Sequence, residues 1–146
     1  MAAMIGRVRG PGWLRWLPML AMMALIFVLS SQSGLKVSED PAVDKPFRVT
    51  GHLLAYALLA AATLVGSSWG RRPAWRDAAL ALAVSLLYGL SDELHQSFVP
   101  DRTGRLDDVL TDMLGAIVGT SLAWLGLLVA ARRREDRSRA APNVPT

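Results

Sequence analysis

The sequence predicts an all-α membrane protein, a four-helix transmembrane bundle with both termini in the cytoplasm. Three observations predict it. Four runs are apolar enough to lie in lipid; the segments between them alternate between Arg-rich and near-neutral; and ionisable residues recur at helical spacing beside the apolar runs. The chain has 146 residues, the length of one domain, and is 52% hydrophobic with a mean hydropathy of +0.31, which points to a membrane protein rather than a water-soluble core. The lack of cysteine removes disulfides, thiolate metal sites and a Cys nucleophile. The net charge of +4 sits in short flanks of apolar runs, not on one face with interleaved aromatics, so no nucleic-acid partner is expected.

Residues 1–13 form a basic cytoplasmic N-terminus with Arg7 and Arg9, broken by Gly10, Pro11 and Gly12. Residues 14–131 form the membrane domain. Its first span is read at 14–31, eighteen residues entered through Trp13 and Trp16, which suit an interface belt. The basic start and the small-residue exit at Ser30, Ser31 and Ser33 also match a secretory signal. No strong Ala-x-Ala site appears, so the run is read as a retained helix. Residues 32–51, with Gly34, Pro41 and Pro46 and balanced charges, read as a loop. A second span follows at 52–69, with His52 and Tyr56 entering on one helical face.

Residues 70–77 make a tight basic turn, and 78–91 are only fourteen residues without charge. At 1.5 Å per residue, Asp92 then lies roughly 22 Å across a core roughly 30 Å thick, so Asp92 and Glu93 fall inside the membrane edge. Tyr88, Asp92 and Gln96 form one stripe with Ser91 and His95, and Glu93 turns about 100° away. A loop over 97–107 contains Pro100, Arg102 and Gly104, and Asp107 or Asp108 can cap the last helix. The last span, 113–131, carries Gly115 and Gly119, a small-xxx-small face for close helix packing. Arg132, Arg133 and Arg134 stop it, and 132–146 reads as a basic, disordered cytoplasmic tail.

Arg residues dominate the N-terminus, the 70–77 turn and the C-terminal run, which places both ends and that turn inside. Arg48, His52, Tyr56, Tyr88, Asp92, Glu93, Gln96, Arg102, Asp108 and Asp112 then converge near the outer face from three helices and their flanks. Ionisable groups at membrane depth are costly without partners, so these ten are the ligand-pocket candidates. A His among carboxylates can hold a hard cation or supply general acid and base; Arg48 and Arg102 can instead hold phosphate or carboxylate. No sequence-local metal-ligand spacing and no nucleophile motif is present, so no residue is assigned as catalytic, and a divalent cation is the one candidate cofactor. The alternative is an interhelical ion-pair lock between Arg48 or Arg102 and the acids.

These residues carry a resemblance. Arg48, His52 and Tyr56, then Tyr88, Asp92, Glu93, Gln96, Phe98, Pro100 and Arg102, then Asp108, Asp112, Gly115 and Gly119 resemble the pattern of the VanZ-like family of small bacterial integral membrane proteins. The sequence departs from that pattern at Asp112, where the family has Asn, and at Val49, Ala55 and Arg105. The resemblance implies a multi-pass protein of the bacterial plasma membrane with a cell-envelope role. The family's namesake is linked to low-level resistance to the glycopeptide antibiotic teicoplanin. The expected partner is a membrane lipid or a lipid-linked cell-wall intermediate held in an outward-facing polar pocket. The competing expectations are an intramembrane enzyme acting on a lipid-linked head group and a structural protein whose polar cluster is a lock.

Overall fold

A computed structural model of the chain describes residues 11–33, 38, 40–100, 102 and 104–140. A short 3-10 turn, Gly12–Trp16, leads into α1, Leu17–Ser30, followed by α2, Pro41–Ser67, α3, Trp75–Gln96, and α4, Leu106–Ala140. The described residues contain no strand. The stretches Gly12–Ser30, Ala42–Ser67 and Leu106–Ala140 are long and apolar enough to cross a membrane. The remaining helix, α3, has 22 residues and is long enough to span, but carries Arg76, Asp77, Asp92, Glu93 and His95.

α2 is the hub, packing on α1, α3 and α4. One core cluster joins Ala60, Leu64, Ala81 and Ala116 with Trp124 and Leu127 against it. The other joins Ile26, Tyr56 and Leu59 with methionines of α1 and Tyr88. α2 and α4 approach tightly at the two glycines singled out in the sequence. A Cβ at Gly115 would stand 2.2 Å from the Leu53 carbonyl oxygen, and one at Gly119 would stand 2.0 Å from that of Ala57. Only hydrogen fits there, so the small-xxx-small reading holds at atomic contact. The pattern is inverted relative to a water-soluble protein. On α4, Asp108, Asp112, Gly115 and Gly119 are buried while Leu110, Leu114, Leu122 and Leu125 are 60% or more exposed. Such an apolar exterior suits a lipid-facing surface.

Two expectations are corrected. The 32–51 stretch is not loop throughout, because α2 already starts at Pro41. Asp40 caps it by accepting a 2.9 Å hydrogen bond from the Ala42 amide, and Pro at the first helical position lacks an N–H that the helix would leave unpaired anyway. Polar composition and Pro46 concealed this helical extension. The second correction concerns the C-terminal stretch. α4 continues through Arg132, Arg133 and Arg134 to Ala140, so a tail without structure does not begin at residue 132. At about 1.5 Å per residue α4 is about 52 Å long and projects well past a roughly 30 Å core. Arg7, Arg9, Lys36, Glu39, Asp101 and residues 141–146 lie outside the described residues.

Candidate functional site

The end of α1, the start of α2, the end of α3 and the start of α4 meet at one end of the bundle, and all ten predicted site residues lie there. At the opposite end, Gly70 (φ 77°) turns the chain between α2 and α3, and Arg71 grips Asp77 through two hydrogen bonds of 2.6 and 2.7 Å.

The α2–α4 seam supplies the first pairs. Arg48 Nη1 lies 3.3 Å from Asp108 Oδ2, and His52 Nδ1 lies 2.9 Å from Asp112 Oδ1, an ion pair when the imidazole is protonated. Asp108 and Asp112 are one helical turn apart, and like charges at that spacing repel. Each is turned to a different partner on α2, and those two partners are also one turn apart. The seam is close because Gly115 and Gly119 bring the two backbones together just beyond it.

α3 supplies the second group. Its buried stripe is Ser85, Gly89, Asp92, Glu93 and Gln96. This shifts the predicted stripe: Ser91 is exposed and donates to the Tyr88 carbonyl at 2.8 Å, while Glu93 turns inward. Asp92 Oδ2 accepts from Ser30 Oγ and from Gln96 Nε2, both at 2.9 Å. Glu93 Oε2 accepts from the Arg105 backbone amide at 2.6 Å. That contact needs the loop to pass directly over α3, and a Cβ at Gly104 would lie 2.3 Å from the Glu93 carbonyl oxygen. Among the described residues, Arg102 forms no ion pair with a carboxylate. It donates to Gln96 Oε1 at 3.3 Å and to the Gln32 and Leu29 carbonyls at 3.2 Å, the last at the carboxyl end of α1 where a cation is favoured. Arg102 is thus coupled to Asp92 through Gln96.

Tyr56 and Tyr88 close the cluster from below, ring centroids 6.5 Å apart. The Tyr88 hydroxyl donates to the Met23 carbonyl. The Tyr56 hydroxyl and Asp112 Oδ2 are both buried without a hydrogen-bond partner, in residues only 1% and 0% exposed. Both border the small space beside Gly89, where a Cβ would stand 3.3 Å from Asp112 Oδ2 and 3.7 Å from the Tyr56 oxygen.

Charge is unbalanced. Asp92, Glu93, Asp108 and Asp112 are all buried, and the described cations reaching them are Arg48, His52 and, through Gln96, Arg102. The Arg105 guanidinium turns instead to exposed Asp107. Four carboxylates therefore face at most three positive charges at low dielectric, where each uncompensated charge is costly. The sequence contains no local metal motif, yet folding brings one donor atom each from His52, Glu93 and Asp112 within 4.8 Å of one another. That is about the diameter of a calcium-type shell with ligands at about 2.4 Å. The three come from three helices, so no sequence spacing could display them. Ser30 and His95 were also missed. Ser30 adds α1 to the site, and His95 stacks on Phe27 at 4.7 Å and meets Ser31 Oγ at 3.0 Å. Nothing in a serine at the end of an apolar run signals such a role.

The chain matches no curated protein and no solved structure. The family model described as VanZ/LLP1 matches residues 15–129, a span containing every helix-borne residue of the cluster and both seam glycines, and the chain belongs to the VanZ/LLP1 family.

Proposed function

We propose that this membrane protein serves the bacterial cell envelope by holding the polar head group of a lipid-linked ligand, a cell-wall intermediate or a glycolipid, at the outward-facing polar end of its bundle. The Arg distribution supports the orientation, since the Arg71–Arg72 turn and Arg132, Arg133 and Arg134 share the opposite end. The observation that carries the reading is the carboxylate surplus around two orphaned buried oxygens, Asp112 Oδ2 and Tyr56 Oη. Such a surplus recruits positive charge. A divalent cation between His52, Glu93 and Asp112 would bind to the carboxylates and share a ligand phosphate; an amine on the ligand would serve the same electrostatic role. Reduced teicoplanin susceptibility is the phenotype expected of cells carrying the protein.

A lock is the second reading, favoured by the Arg48–Asp108 and His52–Asp112 pairs. The two readings divide on Asp112→Asn. A lock predicts that breaking the His52–Asp112 pair lowers thermal stability and leaves teicoplanin susceptibility unchanged. A site predicts loss of Mg²⁺- or Ca²⁺-induced thermal stabilisation, and loss of lipid co-purifying with the wild type as read by mass spectrometry. If wild-type protein carries no enriched lipid and its melting ignores both chelator and cation, the site reading is wrong.

A further inference from the structure

A second feature lies at the other end of the molecule. It is a cleft of about 980 Å³ between the 3-10 turn, the end of α2 and the last turns of α4. Among the described residues four arginines line it, Arg15, Arg71, Arg72 and Arg134, with Glu135 the only acid, and its floor is apolar, including Leu14, Val65 and Leu127. Two of the four are already neutralised. Arg71 is held by Asp77 and Arg72 by Glu135. Arg15 is not: its Nε is buried without a hydrogen-bond partner, and its guanidinium rests over the Trp16 ring at 5.2 Å. Arg134 forms no hydrogen bond or ion pair among the described residues.

The Trp13, Trp69 and Trp75 side chains, 61%, 62% and 79% exposed, ring this same end, the arrangement tryptophans adopt at head-group depth. We propose that the cleft binds an anionic glycerophospholipid, its phosphate between Arg15 and Arg134 and an acyl chain along the floor. Phosphate suits guanidinium geometry, and two unneutralised guanidinium groups offer donors to the two non-bridging oxygens of a phosphodiester. A free phosphate would use the rim and leave the apolar floor uncovered, so the combination selects an amphiphile. This site is independent of the outer cluster, from which it is separated by the length of the bundle.

The test is native mass spectrometry of the full chain, titrated in detergent with phosphatidylglycerol, phosphatidylcholine or inorganic phosphate. Wild-type protein is expected to prefer phosphatidylglycerol over phosphatidylcholine, with the preference falling about five-fold for each arginine removed, in Arg134→Gln and further in Arg15→Gln/Arg134→Gln. Arg132→Gln removes the same charge from an exposed position outside the cleft and is expected to keep the preference. Arg134 is exposed, so its variant remains readable even if the Arg15 change disturbs folding. Equal losses in Arg132→Gln and Arg134→Gln would reduce the effect to net charge and overturn the site. Absence of a wild-type preference would overturn it too, and so would inorganic phosphate competing as well as the lipid.

Discussion

Replacing Gly119 by Ala tests the seam that assembles the polar cluster. The added Cβ would stand 2.0 Å from the Ala57 carbonyl oxygen and 2.5 Å from its carbon, closer than carbon and oxygen tolerate. Both partners are helix backbone, so no side chain can swing aside, and α2 and α4 must part. Overpacking of this kind costs about 1–3 kcal/mol, and the backbone character of the clash argues for the upper end. The better helix propensity of Ala offsets up to about 1 kcal/mol, leaving a net loss of about 2 kcal/mol. Gly126 lies on the same helix, and a Cβ added to it would meet nothing within 4 Å, so Gly126→Ala receives the propensity gain without the clash. For a chain of this size about 2–4 °C of melting temperature accompanies each kcal/mol. Thermal melts in one detergent should therefore show Gly119→Ala about 4–8 °C below wild type and Gly126→Ala at or slightly above it. If Gly119→Ala melts with or above wild type, the helices do not close on this glycine. If both variants fall together, the glycines act through chain flexibility and the contact argument fails.

Gln96→Leu removes the shared partner of Asp92 and Arg102 and is expected to cost about 1–3 kcal/mol, the penalty of orphaning buried polar groups; a melt unchanged from wild type would show that the bridge carries no stability. In a double-mutant cycle, Asp92→Asn and Arg102→Gln should couple by about 0.5–1 kcal/mol, less than the roughly 3–5 kcal/mol of a broken direct buried pair, because the link runs through an amide; strict additivity would remove the link altogether. Gly89→Ala places a methyl 3.3 Å from Asp112 Oδ2 and should blunt any Mg²⁺- or Ca²⁺-induced rise in melting temperature while leaving helix content by circular dichroism unchanged. Reporter fusions after Arg76 and Arg134 should report the cytoplasm and those after Asp40 and Pro100 the exterior; an exterior signal at Arg76 would reverse the bundle and the face on which the cluster opens.

The fold class was legible in the residues alone, and so was the gathering of ten polar residues at one end of the bundle, though not the contributions of Ser30 and His95 beside them. Apolar runs of span length leave a chain no other economical fold in lipid, since every backbone polar group must be paired internally, and helical spacing placed His52 with Tyr56, and Asp108 with Asp112, on common faces. Gly115 and Gly119 likewise announced a close helix contact, because a row of residues without side-chain bulk on an apolar helix has few other uses. The start of α2 had a local signal, Asp40 as N-cap with Pro41 at the first helical position, but the polar composition and the second proline, Pro46, gave the stretch the look of a loop. Tertiary structure alone decided who pairs with whom. Arg102 has several acids near it in sequence, and only the path of the loop over α3 sends its guanidinium to Gln96 and the α1 carbonyls while giving Glu93 the Arg105 amide instead. The grouping of His52, Glu93 and Asp112 and the Arg15–Arg134 cleft join residues from separate helices, far apart along the chain. Helical periodicity sets the face a residue occupies, but the distance between faces is set by the packing of one backbone against another.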